Sequence, residues 1–325
     1  MKILLWSAHR YPADDGVGSG VQTRFPTYKS PGRVHDLLAK GLSEEGHDVF
    51  YLTAQGAESK APNGITLVSE PVDAVDICHN IESERVPWVR TQHTVNQEQK
   101  QARANSIFVS QSLARLHGSD RFVLNGVDPA DYIFSETKDD YFLFLAAMQG
   151  PRSAEKYLDK GLDIALHLAR RMGFNLVVAG TASDENVLNK VMEMCEANRT
   201  NFVGDVRGKR KAELLAGARA LIFPTRIDEG CPLVIAEALM SGTPVICSER
   251  HPCPELVTDE VGFVCSNEED YFRAIENIGT ISPRDCRTRA LRQFDYRIMT
   301  RNYLIEYERE IIGHSLAHAA QQSTD

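Results

Sequence analysis

The sequence predicts an α/β protein built from two doubly wound parallel-sheet domains. Short apolar runs alternate with amphipathic stretches; a polar segment, Ser135-Glu136-Thr137-Lys138-Asp139-Asp140, interrupts the alternation; and the alternation then restarts. At 325 residues the chain can hold about two cores of ordinary size. In the first half, strands are expected near Ile3 to Trp6, Val49 to Leu52, Ile65 to Val68, Ala74 to Cys78, Val86 to Arg90, Ser106 to Val109 and Phe122 to Leu124. The clearest helix runs from Gly32 to Glu45, because Val34, Leu37, Leu38, Gly41 and Leu42 recur at helical spacing and Gly46 supplies a stop.

The second half restarts with Tyr141 to Ala146 and continues through expected strands at Asn175 to Ala179, Asn201 to Val203, Leu221 to Phe223, Val245 to Cys247 and Gly262 to Cys265. Helices fall between them at Leu162 to Met172, Glu185 to Ala197, Lys209 to Ala216 and Glu268 to Ile278. A closing helix is expected from about Arg297 to Ile312, with a frayed tail from about His314. The expected division is residues 1–137, 138–295 and a terminal segment 296–325 that packs back on the first domain.

Composition removes several classes of partner. There are 36 Lys and Arg against 45 Asp and Glu, a net charge of -9, and no basic run longer than Lys209-Arg210-Lys211. Neither nucleic acid nor an anionic membrane is expected as the main partner. The N-terminal apolar run is too short for a signal peptide, and nothing approaches the ~20 apolar residues of a membrane span. The seven cysteines, at 78, 195, 231, 247, 253, 265 and 286, are scattered without a C-x-x-C pair, so reduced thiols in a cytoplasmic protein are expected, and no zinc site. No cofactor is expected.

The stretch from Asp228 to Pro244 carries the most chemistry. Glu229 falls in a strand-to-helix loop and Glu237 about two turns later, with Pro232 expected at the first helical position and Gly242 and Pro244 closing the helix. From Pro232 to Met240, Glu237 is the only polar side chain among eight apolar ones, so its carboxylate is expected to be buried and to need partners, which sugar hydroxyls would supply. The backbone N–H groups of Gly230, Cys231 and Leu233 lie where a helix N-terminus favours a phosphate. Two carboxylates beside such a terminus suit a ligand with hydroxyls and a diphosphate.

Beyond that stretch the chain resembles the retaining glycosyltransferases of family 4 (group 1), which have the GT-B fold of two Rossmann-like domains facing a central cleft. The resemblance spans nearly the whole length. It rests on Gly46-His47-Asp48-Val49, Asp76-Ile77-Cys78-His79, Thr91-Gln92-His93, Val109-Ser110 and Asn125-Gly126-Val127-Asp128 in the first half. In the second it rests on Lys160-Gly161, Val177-Val178-Ala179-Gly180, Phe202-Val203-Gly204, the Glu229 to Val245 stretch and Pro254-Glu255-Leu256-Val257.

The resemblance implies a hexose moved from a nucleotide-diphosphate sugar, UDP- or GDP-linked, to a small-molecule or carbohydrate acceptor. It implies Glu229 on the hydroxyls of the hexose, Glu237 on the ribose, the Gly230, Cys231, Pro232 and Leu233 segment on sugar and diphosphate, and Lys160 on the diphosphate. His93 would stand near the donor sugar across the cleft, the backbone near Val206 would hold the base, and His79 reads as structural. Such enzymes need neither a protein nucleophile nor a metal ion, and no Asp-x-Asp occurs here.

Two departures stand out. Where the family has Gly-Arg after the first strand of the second domain this chain has Ala146-Ala147, so Arg152 or Lys156 in the lengthened loop, or Lys160 alone, must carry the charge. Where the family has Gly-Gly before the first helix this chain has Lys29-Ser30 at the end of a longer loop, which makes Arg24, Tyr28 and Lys29 acceptor-side candidates. A GT-B epimerase and a non-catalytic nucleotide-sugar-binding protein remain as alternatives.

Overall fold

The computed structural model describes residues 1–9, 11, 32–53, 64–72, 74–95, 101–148, 158–182 and 184–322. They form two compact units, one from the described residues up to Asp128 together with the chain from Gln293 onward, the other from Pro129–Arg292.

The first unit begins with β1 (Lys2–Ser7), α1 (Gly32–Glu44), β2 (Asp48–Thr53) and β3 (Ile65–Val68), followed by β4 (Ile77–His79), β5 (Trp88–Gln92), β6 (Ser106–Phe108) and α2 (Gln111–Leu116). Its strands make one parallel sheet in the order β3-β2-β1-β4-β5-β6. Successive residues Ile3, Leu4 and Leu5 of the central β1 are all buried, as a parallel strand covered on both faces must be. The strand expected from Phe122 to Leu124 shrinks to a single bridge between Phe122 and Phe108, at the outer edge of β6 where the sheet ends. The chain order reverses at β1, so the loops after β1 and β4 flank a switch point.

The second unit repeats the plan with β7 (Phe142–Leu145), α3 (Leu162–Met172), β8 (Leu176–Ala179), α4 (Glu185–Ala197), β9 (Asn201–Phe202), α5 (Gly208–Gly217), β10 (Leu221–Phe223) and α6 (Leu233–Met240). It continues through β11 (Val245–Ser248), α7 (Cys253–Leu256), β12 (Gly262–Cys265), α8 (Glu268–Asn277) and α9 (Pro283–Gln293). The sheet order is β12-β11-β10-β7-β8-β9, all parallel, with its switch point between β7 and β10. Phe142, Phe144, Leu162, Leu166, Val178, Ile222 and Ile246 fill the core. The polar segment before β7 is strapped down: Lys138 Nζ donates to the Ala216 carbonyl at 2.8 Å and to Thr243 Oγ1 at 2.9 Å, and Asp139 N–H to the Gly217 carbonyl at 2.7 Å. A charge balance that reads as a linker is here a belt around its own domain.

The last element, α10 (Tyr296–Gln322), returns to the first unit and lies against α1. Gly41 permits that approach, since a Cβ there would strike the Thr300 side chain. Gly126 of the Asn-Gly-Val-Asp run does the same for the backbone of Tyr296. The helix does not end near Ile312. Gly313 reads as a stop, yet the helical bonds carry on to Gln322, with Ser315 Oγ donating to the Ile311 carbonyl at 2.9 Å and the rings of His314 and His318 4.8 Å apart. No described helix is long and apolar enough to cross a membrane.

Candidate functional site

In the second unit the switch point gathers the residues singled out by the sequence. Lys160 lies in the segment after β7, immediately before Gly161, the left-handed N-cap of α3 with φ 75°. A Cβ on Gly161 would strike the Pro224 carbonyl, so glycine is required for the β7 and β10 loops to touch. Glu229 lies in the β10 loop, and its carboxylate accepts from Lys160 Nζ at 2.5 Å, both side chains mostly buried. The sequence assigned these two to different parts of a ligand; the fold joins them as an ion pair.

The loops that carry the pair are tied to their neighbours. Arg226 N–H donates to the Asp159 carbonyl at 2.8 Å, and its guanidinium grips Asp163 with two bonds of 2.6 Å. Glu229 N–H donates to the His251 carbonyl at 2.8 Å, while His251 N–H donates to Asp228 Oδ1 at 3.1 Å. Held from both sides, the pair needs little ordering before it meets a ligand.

Directly after Glu229 comes the N-terminus of α6. Pro232 is its N-cap, not its first helical residue: the ψ of 107° is extended, which turns the chain out of the loop before the helix starts at Leu233. No side chain caps this end, and the amides of Gly230 and Leu233 have no partner among the described residues. An uncapped terminus next to a lysine is suited to an anion. At the other end Gly242, at φ 75°, closes the helix, with Gly242 N–H and Thr243 N–H donating back to Leu239 and Ala238.

Glu237 is buried, as its apolar surroundings imply, but its partners come from the protein. Lys211 Nζ donates to Oε1 at 2.7 Å and the Tyr132 hydroxyl to the same oxygen at 3.1 Å. Sequence reasoning missed both. Lys211 sits in the longest basic run, which reads as a solvated face; the signal was its helical spacing to the buried Leu215, which turns it toward α6. Glu237 Oε2 has no partner among the described residues, leaving one acceptor for a ligand. Val206, in the β9–α5 loop, buries its side chain beside the half-buried Gly204 and Arg207. Cys231 is half-buried, and the other six cysteines are buried.

The exposed Ala147 stands two residues past the end of β7, where the resemblance expects an arginine. Arg152 and Lys156, the candidates to replace it, lie outside the described residues, as do Arg24, Tyr28 and Lys29. Among the described residues, no three or more His, Cys, Asp or Glu side chains are arranged to hold a metal ion.

The first unit gathers histidines at its own switch point. His79, at the end of β4, is fully buried, with Nδ1 2.5 Å from the Tyr307 hydroxyl and Nε2 2.7 Å from Thr91 Oγ1. His93 follows β5, half-buried, with Nε2 3.2 Å from Nε2 of His35 on α1. Burial, then neighbouring imidazoles, pushes all three down: His93 to about 4, His79 to about 3 and His35 well below the usual range. They are neutral at physiological pH. His35 was missed because it stands beside the leading apolar stripe of α1, although it shares a face with Leu38 and Leu42.

Residues 135–289 match the model of the family described as glycosyl transferases group 1. The O-antigen chain mannosyltransferase RfbU of Salmonella typhimurium is 24% identical over 225 residues, covering 66% of this chain and 58% of that protein. The O-antigen chain mannosyltransferase B of Escherichia coli is 29% identical over 136 residues, 41% of this chain and 35% of that one. The chain thus spans between about a third and three fifths of the curated relatives it matches.

Among solved structures, AviGT4, a glycosyltransferase involved in avilamycin A biosynthesis, superposes with a TM-score of 0.72 at 22% identity, over 96% of this chain and 98% of that one. Anabaena Alr3699/HepE in complex with UDP gives 0.65 at 14% identity, over 95% and 100%. At such identities these likenesses speak to the fold, which is GT-B. Through residues 135–289, just under half of its length, the chain is similar to the group 1 glycosyltransferases.

Proposed function

We propose that the protein transfers a hexose from a nucleotide-diphosphate sugar to an acceptor hydroxyl, with retention of configuration and without a metal ion. The observation that carries this reading is the Lys160–Glu229 pair set against the uncapped N-terminus of α6. The relatives' names add mannose transfer, and a neighbour's bound UDP adds a nucleoside diphosphate, so UDP- and GDP-hexoses are the donors of choice.

In this reading the diphosphate lies on the amides of Gly230 and Leu233 and draws Lys160 partly away from Glu229, which then accepts from hexose hydroxyls. Glu237 Oε2 takes a ribose hydroxyl, and Lys211 holds the charge of that carboxylate so that it does not repel the diphosphate. Val206 offers backbone to the base and His93 contacts the hexose. The second unit serves the donor and the first the acceptor, with Arg24, Tyr28 and Lys29 on the acceptor side.

A carboxylate neutralised by an ammonium 2.5 Å away is a poor nucleophile, so Glu229 is not assigned to covalent catalysis. Instead the C1–oxygen bond to the diphosphate breaks, its electron pair stays on the departing phosphate oxygen, and the acceptor hydroxyl enters from the same face. Its proton passes to that oxygen. Lys160 and the helix amides stabilise the charge that grows there.

Lys160, Lys211, Glu229 and Glu237 together sum to zero charge, so the diphosphate needs more positive potential than they provide. Arg152 or Lys156 is proposed to supply it. If neither does, the non-catalytic binding reading gains, since a donor would bind but not react.

The test is a thermal-shift panel of UDP-, GDP-, ADP- and dTDP-sugars on wild type and Glu237→Ala. A shift with one nucleotide that weakens in the variant supports the donor site and names the base. No shift with any of them would sink it. Product anomeric configuration by NMR, with and without EDTA, then tests retention and metal independence.

A further inference from the structure

We propose that Asn80 and His35 are positioning residues that hold His93 in a single tautomer, protonated on Nε2 and bare on Nδ1, so that His93 meets its ligand as a hydrogen-bond acceptor. The inference runs along a chain of hydrogen bonds from Asn80 through His35 to His93.

Asn80 follows β4 in the left-handed region at φ 64°. Thr91 N–H donates to its Oδ1 at 2.8 Å, which fixes the orientation of the amide. The NH2 group therefore faces the Trp6 carbonyl at 3.3 Å and His35 Nε2 at 3.4 Å, one hydrogen for each. A nitrogen that faces a donor carries no proton of its own, so His35 Nε2 is bare.

A neutral His35 with a bare Nε2 carries its one proton on Nδ1. Ser7 Oγ stands 3.4 Å from Nδ1 and can accept that proton, while it also accepts from His9 N–H at 3.2 Å.

His93 Nε2 lies 3.2 Å from that bare nitrogen. Two lone pairs would repel at this distance, and His35 has no proton to offer there, so the N–H belongs to His93. Burial keeps His93 neutral, with its pKa pushed down to about 4, so it has one ring proton and Nδ1 is left as a lone pair. Nδ1 has no partner among the described residues. A hydroxyl can donate to it, whereas a phosphate oxygen cannot. If His93 is a ligand contact as proposed above, it therefore reads a hydroxyl of the hexose and not the diphosphate.

The experiment uses ligand-free protein labelled with 15N-histidine at neutral pH, where long-range 1H–15N correlations report which nitrogen of each ring holds the proton. The wild type is expected to show Nε2–H for His93 and Nδ1–H for His35. Asn80→Asp keeps the acceptor for Thr91 and tolerates the same backbone but removes the NH2 donor; it should move the His35 proton to Nε2 and turn His93 over to Nδ1–H. A wild-type His93 protonated on Nδ1, or tautomers unaltered in Asn80→Asp, would overturn the proposal. Because no donor is present, the sugar contact fails separately, as a His93 Nδ1 resonance unmoved by a saturating nucleotide sugar.

Discussion

At the switch point of the second sheet the fold collects charge, with Lys160 against Glu229 and Lys211 against Glu237. At the switch point of the first sheet it collects neutral imidazoles, hydroxyls and an amide, with His93, His35, His79, Ser7, Asn80 and Thr91 in one network. Both sheets have six parallel strands wound outward from a central first strand, so topology does not account for the difference. What differs is the side chains that the loops bring. A partly buried ion pair keeps its charge because it has a partner, and can exchange that partner for a phosphate. A buried imidazole without an acid beside it gives up its charge and keeps only directional hydrogen bonds. One architecture thus makes a charged switch point and a neutral one.

The largest effect is expected where charge meets the leaving group. Lys160→Met should lower kcat/KM by about 10²–10³ with the donor found in the panel, the range for removing one preorganised donor from a developing oxyanion. A loss under threefold would remove Lys160 from the chemistry and weaken the contrast between the two sites.

Next comes the Glu237–Lys211 pair. Glu237→Leu strands a lysine that is only 28% exposed and should cost about 1–3 kcal/mol in urea unfolding, discounted from a fully buried pair for solvent access. The double variant Glu237→Leu/Lys211→Met should recover most of that. Simple additivity of the two single losses would show that the pair is not coupled.

The neutral site is probed by pH. A histidine whose folded pKa lies below its unfolded value of ~6.5 binds fewer protons folded than unfolded, so its stability contribution is complete above that value and falls as pH drops toward the folded pKa. For His93 the window runs from ~6.5 down to about 4. Each such histidine contributes up to ~1.4 kcal/mol per pH unit there. His93→Asn should make the stability-versus-pH slope shallower by about one proton, and an unchanged slope would mean that His93 is not held neutral.

The smallest effect is expected from Ala147→Arg, which restores the charge of the family pattern at an exposed position. Turnover should rise, by less than ~10-fold, since a single surface cation is worth about 1 kcal/mol. No rise, together with activity abolished by Arg152→Ala, would show that the longer loop already supplies that cation.

Most of the architecture was legible because buried parallel strands and amphipathic helices write period and length directly into the chain; β3, β10, β12, α3 and α4 fall at the residues the pattern gives. Short elements with little apolar content were not: α2, α7 and α9 carry too few buried positions to stand out, and Gly313 stops nothing because its neighbours continue the helical bonds. At the site, Glu229, Glu237 and Lys160 were legible as residue types in the right places. Their pairing was not, because Lys160 with Glu229 and Lys211 with Glu237 are 69 and 26 residues apart and meet only when the sheet is wound. His35 and Asn80 were illegible for a related reason: each acts through a neighbour that only the fold supplies.

The most direct measurement is isothermal titration of UDP and GDP, without a sugar, into wild type, Lys160→Met and His93→Ala. The charged site predicts that one of the two nucleotides binds the wild type, binds Lys160→Met at least tenfold more weakly, and binds His93→Ala unchanged. Equal binding to wild type and Lys160→Met, or a loss confined to His93→Ala, would contradict the assignment of the diphosphate to the second switch point.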